Sequence, residues 1–245
     1  MVLYNLLSLF SKGFTLSVFE TILKELYNYA DENVANQTKK FFKTGIGEYS
    51  EGDIFLGVKV PVLRKLSKKY KQLSLDETIL LLKSEYHESR LLALFILIFH
   101  FENASKQKQT IYELYLSHTQ YINNWDLVDS SAHKIVGSYL LDKNRDILYR
   151  LVQSDSLWER RIAVVATLWF IKHLQLNDTI KLAEMLLKDK EDLIHKAVGW
   201  VLREVGKQDK QLLINFLEKH SKVMPRVMLR YSLEKFSKEE RKKYM

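Results

Sequence analysis

A tryptophan and a carboxylate lie four residues apart in the segment NNWDLVDSSAHKIVG, residues 123–137. If the segment is helical, Trp125 and Asp129 are one turn apart and share a face, beside an apolar stripe of Val128, Ala132, Ile135 and Val136. An aromatic plane next to an acid suits a catalytic site. An isolated pair of this kind, however, is more often a packed tryptophan and a salt-bridged aspartate.

Two later segments carry side chains that could bind a polyanion or a sugar. In LWERRIAVV, Arg160 and Arg161 are adjacent and point about 100° apart on a helix, so they cannot serve one face equally. One guanidinium suits a phosphate, and an ion pair between repeats is the competing interpretation. In KAVGWVLREVG, Gly199 permits close approach of a helix or ligand, and Trp200 offers a flat face for stacking on a sugar or base.

Helices must position these residues, because the chain has only two prolines and eight glycines and its apolar residues recur at three- and four-residue spacing. Five long apolar helices are predicted to begin near residues 87, 124, 157, 194 and 224. Their separation of roughly 30 to 40 residues is typical of stacked helix pairs such as HEAT repeats. We therefore expect an all-α fold, an α-solenoid with a concave, basic cleft on which the starts of the second helices lie side by side.

The whole chain, residues 1–245, is predicted to be a single repeat domain, with 1–14 an N-terminal extension or first helix. A glycine-rich loop at 43–60 is the exception to the helical pattern. Pro61 can start the helix that follows, and the loop lacks the spacing and preceding strand of a phosphate-binding P-loop. Asp76, Asn177 and Asp178 stand where helix N-caps are expected.

The composition favours an anionic partner. The chain carries 38 Lys and Arg against 30 Asp and Glu, a net charge of +8, which modestly favours DNA or RNA. With no cysteine it has no disulfide or thiolate chemistry, and the histidines show no metal-ligand spacing. The apolar runs are too short to cross a bilayer and the first residues lack a basic leader, so we expect a soluble, cytoplasmic monomer that acts without a membrane, cofactor or metal.

Taken together, the segments NWDLVDS, SLWERRIAV, IHKAVGWVLREVGK and FLGVKVPVLRKL resemble the AlkD type of DNA alkylation-repair glycosylase, a family built of HEAT-like repeats. The likeness extends from about residue 39 to 236 and keeps the order and spacing of the family. It implies that Asp129 is the catalytic carboxylate, that Trp125 and Trp200 flank the sugar-phosphate of the lesion, and that Arg161 engages phosphate. It also implies that double-stranded DNA with alkylated bases is the substrate, held from its backbone side.

This sequence departs from the family in two places. Where the family has a tyrosine near the end of its second helix, the chain reads Phe41-Phe42-Lys43, which supplies an apolar plane for DNA but no hydroxyl. The glycine-rich insertion is also longer than in shorter members. Neither departure affects Asp129.

The chemistry of Asp129 agrees with this resemblance. A carboxylate beside the sugar stabilises the oxocarbenium-like state of N-glycosidic hydrolysis. A 3- or 7-alkylated purine is already cationic and leaves neutral, so a single acid suffices and cationic lesions such as 3-methyladenine and 7-methylguanine are expected. No lysine stands out as a Schiff-base nucleophile, so we expect an abasic product and no lyase step. The alternative is a non-catalytic HEAT-repeat protein that binds DNA structures or protein partners.

Overall fold

The computed structural model describes residues 17–103 and 106–245, and throughout these residues the regular secondary structure is helical. The described residues contain fourteen α-helices, and an isolated β-bridge joins Ile54 to Tyr86. The predicted all-α, helical-repeat fold is confirmed. The predicted extension at 1–14 lies outside the described residues.

The chain divides into two compact units, Met1–Leu97 and Ile98–Met245, which we describe separately. The prediction of a single domain over 1–245 stays a prediction. In the first unit the helices are α1 (Val18–Asn28), α2 (Glu32–Phe42), α3 (Val60–Lys69) and α4 (Leu75–Leu82), followed by α5 (His87–Asn103), which continues into the second unit.

The second unit contains the helices that carry Trp125, Asp129, Arg161 and Trp200. They are α6 (Lys108–Ser117), α7 (Trp125–Ala132), α8 (Asp146–Leu151), α9 (Leu157–Lys172), α10 (Asn177–Met185), α11 (Asp192–Gln208), α12 (Lys210–His220), α13 (Arg226–Ser232) and α14 (Lys238–Lys242). Helix α7 packs on α9, α9 on α11, and α11 on α13, so the long helices of successive pairs are neighbours. Within the described ranges, none of the helices has the length and apolarity required to cross a bilayer.

The helix starts differ in part from the predicted caps. Ser74 caps α4 through a capping box with Glu77, which leaves Asp76 as an acid of the first turn. Asn177 and Asp178 are the first two residues of α10, whose start has no side-chain cap. The prediction of N-caps at Asp76, Asn177 and Asp178 is therefore wrong, because the serine and glutamate pair competes better for the orphan N–H groups of α4 and α10 begins before its acid.

The glycine-rich loop is fixed at its end by a buried carboxylate. Glu88 accepts hydrogen bonds from the N–H groups of Leu56 at 3.0 Å, Gly57 at 2.8 Å and Val58 at 3.3 Å. Gly57 has φ 82°, and a Cβ at this position would lie 2.1 Å from the carbonyl oxygen of Asp31. Only glycine fits there. The loop then enters α3 with Pro61 in its first turn, as predicted.

Two glycines allow close packing between the long helices of the second unit. A Cβ on Gly137 would lie 2.2 Å from the carbonyl oxygen of Ala166 in α9. A Cβ on Gly199 would lie 2.6 Å from the carbonyl oxygen of Met228 in α13. Gly199 therefore admits a helix neighbour, one of the two partners considered from the sequence.

Helix α7 continues into a π-helical turn, His133–Gly137. Its buried residues Val128, Ala132, Val136 and Leu140 are spaced four apart. Three α-helical turns take about 10.8 residues, so this spacing would drift around a regular α-helix. The wider π turn absorbs the extra residue and keeps all four side chains on the buried face.

Candidate active site

The start of α7 is fixed by a buried asparagine. Asn124 is fully buried, and its side-chain oxygen accepts a hydrogen bond from the Trp125 N–H at 2.8 Å. Trp125 becomes the first helical residue, and Asp129 follows one turn later. Both are half-buried, and their shared face agrees with the helical spacing in the sequence.

The Asp129 carboxylate is held by Arg161 in a two-point ion pair. Arg161 donates from Nε to Oδ1 and from Nη2 to Oδ2, each at 2.8 Å. Its remaining amino group, Nη1, donates to the carbonyl oxygen of Leu193 at the start of α11. Arg161 is 5% exposed. One buried guanidinium thus joins the first two turns of three packed helices, α7, α9 and α11.

The carboxylate is the more exposed partner of this pair. The Asp129 side chain is 21% exposed and that of Arg161 is 6% exposed. Burial raises the pKa of the Asp129 carboxyl, and the facing Arg161 guanidinium opposes that shift. Asp129 therefore keeps partial access to solvent while both of its carboxylate oxygens are held by a buried cation.

The adjacent arginine has a different partner. Arg160 donates from Nε to Asp189 at 2.7 Å and from Nη1 to the carbonyl oxygens of Ser154 and Asp155. Asp189 also accepts from the Glu191 N–H at 2.9 Å, within the connection that leads into α11. The expectation that the two arginines serve different faces is confirmed, and the ion pair expected for one of them is found for both.

A fully buried polar pair, Tyr115 of α6 and Ser131 of α7, joins the two helices. The Tyr115 hydroxyl lies 2.8 Å from Ser131 Oγ, and Ser131 donates to the Leu127 carbonyl oxygen at 2.6 Å. Burial raises the pKa of Tyr115, so its hydroxyl stays protonated. One turn after Asp129, burial lowers the pKa of His133 to about 4, so its ring is neutral at physiological pH. Sequence reasoning missed Tyr115 and Ser131 because they sit in ordinary helical apolar stripes.

Trp200 lies on the same helix as the Leu193 carbonyl that binds Arg161. It is half-buried, two turns further along α11 and beside Gly199, which packs against α13. Its predicted contact with the lesion's sugar-phosphate stays a prediction.

Three further predicted DNA contacts belong to the first unit. Phe42 is buried and stacks on Phe55 with ring centroids 5.1 Å apart, so its ring belongs to the core. Phe41 is 67% exposed. Lys43 is exposed and ends α2 with φ 54°. The exposed apolar plane near the end of α2 therefore comes from Phe41, and contact of these residues with DNA stays a prediction.

Comparison with known proteins identifies the family. The sequence profile of a family described as DNA alkylation repair enzyme matches residues 22–236. The chain belongs to this family. Its membership gives the protein a role in DNA alkylation repair, as an enzyme with DNA as its partner.

A solved structure and the curated proteins complete the comparison. A structure described as "Predicted DNA alkylation repair enzyme from Enterococcus faecalis" is similar with a TM-score of 0.67 at 18% identity, covering 85% of this chain and 97% of that chain. At this identity the likeness shows the fold. Comparison with curated proteins finds no significant match.

Within residues 17–103 and 106–245, no three His, Asp or Glu side chains are grouped so that they could hold a metal ion. The Asp129 carboxylate has a buried cation against it and a tryptophan one turn before it.

Proposed function

We propose that the protein is a monofunctional DNA glycosylase that hydrolyses the N-glycosidic bond of cationic N3- and N7-alkylated purines. The observation that carries this proposal is the Asp129 carboxylate, which is 21% exposed on a helix of an alkylation-repair enzyme and is aligned by a buried Arg161. Membership of a DNA alkylation repair family supports alkylated DNA as the substrate, and the carboxylate would stabilise the charge that develops as the bond breaks.

The reaction begins when the bond between C1′ of the deoxyribose and N9 of the purine breaks. The bonding electron pair goes to N9, which neutralises the cationic base, and C1′ develops positive charge. The negative Asp129 carboxylate stabilises that charge, which appears only as the bond breaks, and the stabilisation therefore lowers the barrier. Water then adds to C1′ and loses a proton to Asp129 or to solvent, which leaves an abasic site.

A single carboxylate meets the needs of this reaction. Glycosidases that expel a poor leaving group use a second carboxyl as general acid. An alkylated purine needs no such proton, because it carries its positive charge before the bond breaks. Selectivity for cationic lesions follows, and ordinary purines remain bonded.

Arg161 has a positioning role in this scheme. Its three hydrogen bonds to Asp129 and Leu193 and its burial support the alignment of the carboxylate. The phosphate contact expected for Arg161 from the sequence remains a prediction. Trp125 and Trp200 would contact the sugar-phosphate of the lesion through their ring faces.

The test is release of methylated bases from duplex DNA by the wild-type protein, by Asp129→Asn and by Asp189→Asn. Asparagine keeps an acceptor for Arg161 but removes the negative charge, so Asp129→Asn should slow base release by about 10²–10³-fold. Asp189→Asn is the matched control, because it changes the other aspartate that a neighbouring arginine holds. Equal release by wild type and Asp129→Asn would remove the proposed role of Asp129, and no release by the wild type would favour a non-catalytic DNA-binding protein.

A further inference from the structure

Four helices of the described residues begin with the pattern Ser-x-x-Glu, and one of them uses its glutamate differently from the others. In α1, α4 and α14 the glutamate carboxylate accepts a hydrogen bond from the backbone N–H of the N-cap serine, which closes a capping box. The three pairs are Ser17 with Glu20, Ser74 with Glu77, and Ser237 with Glu240, at 2.8, 3.0 and 2.9 Å. Each of these glutamates serves the start of its own helix.

Helix α9 begins after Ser156 and has Glu159 in the same position, but its reciprocal bond is made by another residue. The Glu159 N–H donates to Ser156 Oγ at 3.4 Å, as in a capping box. The Ser156 N–H, however, donates to Ser154 Oγ at 3.1 Å. Ser154 thus supplies the acceptor that the glutamate supplies in the other three helices, and the Glu159 carboxylate is released to bind other donors.

The Glu159 carboxylate reaches from α9 to the segment that precedes α7. Its Oε1 accepts a hydrogen bond from Thr119 Oγ1 at 2.7 Å, and its Oε2 accepts one from Ser154 Oγ at 2.5 Å. Such short distances are typical of hydroxyl groups that donate to a carboxylate. Thr119 is buried and lies 40 positions from Glu159 in the chain. A bond within one helix start is therefore exchanged for a contact between two helix pairs.

Thr119 belongs to the segment that leads into the proposed active site. It begins the 3₁₀ turn Thr119–Tyr121, and its carbonyl oxygen accepts from the Ile122 N–H at 2.9 Å. Ile122 and the cap residue Asn124 are fully buried, and Trp125 follows as the first residue of α7. The position of Thr119 therefore bears on where α7 begins and on where Trp125 lies.

Helix α9 holds this part of the chain at two points of opposite chemistry. Glu159 accepts from Thr119 before α7, and Arg161, two residues later in α9, donates to Asp129 within α7. Trp125 lies between these two attachments in the sequence. Because helix ends fray, the attachment at Thr119 restrains the end of α7 that carries Trp125.

We propose that Glu159 is a positioning residue of the proposed active site and that it fixes Trp125 relative to Asp129 through Thr119. This role rests on the proposed function, in which Trp125 contacts the sugar-phosphate at which Asp129 acts. A misplaced orienting group slows a reaction even when the reacting carboxylate is intact. Loss of the contact with Thr119 should therefore lower the rate of base release more than the affinity for unmodified DNA.

The first measurement observes Trp125 directly, by fluorine NMR of the full-length protein labelled with fluorotryptophan. The chain has four tryptophans, and Trp125→Phe identifies the resonance that belongs to Trp125. Thr119→Val keeps the shape of the side chain and removes the hydroxyl, so the Trp125 resonance should shift or broaden. The resonance of Trp169, near the end of α9, should stay in place. Thr119→Ser restores the hydroxyl and should restore the wild-type resonance.

The second measurement is single-turnover base release from methylated duplex DNA. Thr119→Val should slow release about tenfold, with an unchanged Kd for unmodified duplex DNA, and Thr119→Ser should release bases at the wild-type rate. Glu159→Gln tests the partner, because an amide offers one acceptor oxygen in place of two, and it should slow release in the same way. Since both substitutions remove one contact, the double variant should be no slower than the slower single variant.

Glu77→Gln is the matched control, because it changes the glutamate of a closed capping box. It should leave the Trp125 resonance and the rate of base release unchanged. An unchanged Trp125 resonance in Thr119→Val would overturn the proposal. Displacement of all four resonances would overturn it as well, because the contact would then serve the fold as a whole.

The fluorine resonances are measured without substrate, so failure of this proposal can be told apart from failure of the proposed function. If the protein released no base and Thr119→Val still moved the Trp125 resonance, the glycosylase would be refuted and Glu159 would keep its role in placing Trp125. Base release that depends on Asp129 and is equal in the wild type and Thr119→Val would do the reverse.

Discussion

Two adjacent arginines at the start of α9 each bind an aspartate, and the two ion pairs differ in which partner is the more exposed. In the pair of Arg161 and Asp129, the arginine side chain is 6% exposed and the aspartate 21% exposed. In the pair of Arg160 and Asp189, the arginine is 15% exposed and the aspartate 6% exposed. The cation is therefore buried in one pair and the anion in the other.

This difference in exposure separates a pair that aligns a carboxylate, Arg161 with Asp129, from a pair that links two helices, Arg160 with Asp189. Asp189 is covered on both sides, since it accepts from Arg160 and from the Glu191 N–H, and it ties the connection before α11 to α9. Asp129 gives both of its carboxylate oxygens to Arg161, and its side chain stays 21% exposed. An ion pair between helices is thus compatible with either a structural or a chemical task, and the exposed partner indicates which.

Among the substitutions of the two arginines, removal of the more deeply buried cation should give the larger effect. Arg161→Gln removes the charge that aligns Asp129 and opposes its raised pKa, so single-turnover base release should fall by about 10²-fold. Arg160→Gln should release bases within a few-fold of the wild type. Comparable decreases in the two variants would show that the two pairs have the same task.

Asp189→Asn should lower the stability of the protein and leave base release largely unchanged. It leaves Arg160 without its charge partner in a largely buried setting, which should lower the free energy of unfolding by about 2–4 kcal/mol. Urea denaturation measures this decrease, and base release at a temperature where the variant is folded should be retained. An unchanged urea midpoint would contradict the structural role of the pair of Arg160 and Asp189.

The packing of α7 on α9 can be loosened without touching either ion pair. A methyl group on Gly137 would meet the Ala166 backbone at 2.2 Å, so Gly137→Ala should cost about 1–3 kcal/mol of stability by overpacking. Gly45→Ala is the control, because its new methyl would meet only the flexible end of Glu48 at 2.9 Å. Thermal unfolding of the two variants distinguishes them, and equal melting temperatures would count against tight packing of α7 on α9.

The smallest expected effect is a shift in the pH dependence of base release. Asp129 must be ionised to stabilise a cation, and because burial raises its pKa, base release should decline on acidification with a midpoint above 3.8, the ordinary aspartate value. A raised folded-state pKa means that protonating Asp129 does not itself unfold the protein. Single-turnover rates with circular dichroism at each pH check this, and a midpoint at or below 3.8 would contradict the burial of Asp129.

His133 adds an acid-sensitive contribution to stability in the same range. Its pKa of about 4 in the folded protein lies below the ordinary value of 6.5. The unfolded chain therefore takes up the proton first, and the stability associated with His133 is present above pH 6.5 and decreases as the pH falls toward 4. His133→Gln is the variant that separates this decrease from the titration of Asp129.

The sequence predicted the helices well because their apolar periodicity is local. Helices begin within two residues of the five predicted starts, and Trp125 and Asp129 share a face as their spacing requires. The predicted length fails for α7 and α13, which have eight and seven residues. An ion pair was considered separately for Asp129 and for one of the arginines, but the pairing of Arg161 with Asp129 was not predicted, since it joins residues 32 positions apart. The π turn, the capping box at Ser74 and the contact between Glu159 and Thr119 depend on tertiary packing or on competition between caps, which helical spacing does not report.

The hydrogen bond from Arg161 to the Leu193 carbonyl links the alignment of Asp129 to the next helix pair. Any transient opening that lifts the first turn of α11 from α9 must break it, after which the guanidinium can rotate together with the carboxylate. Local opening of α11 would then set how long the Asp129 carboxylate stays aligned. A ligand that binds α11 and suppresses this opening would keep Asp129 aligned for longer without contacting it.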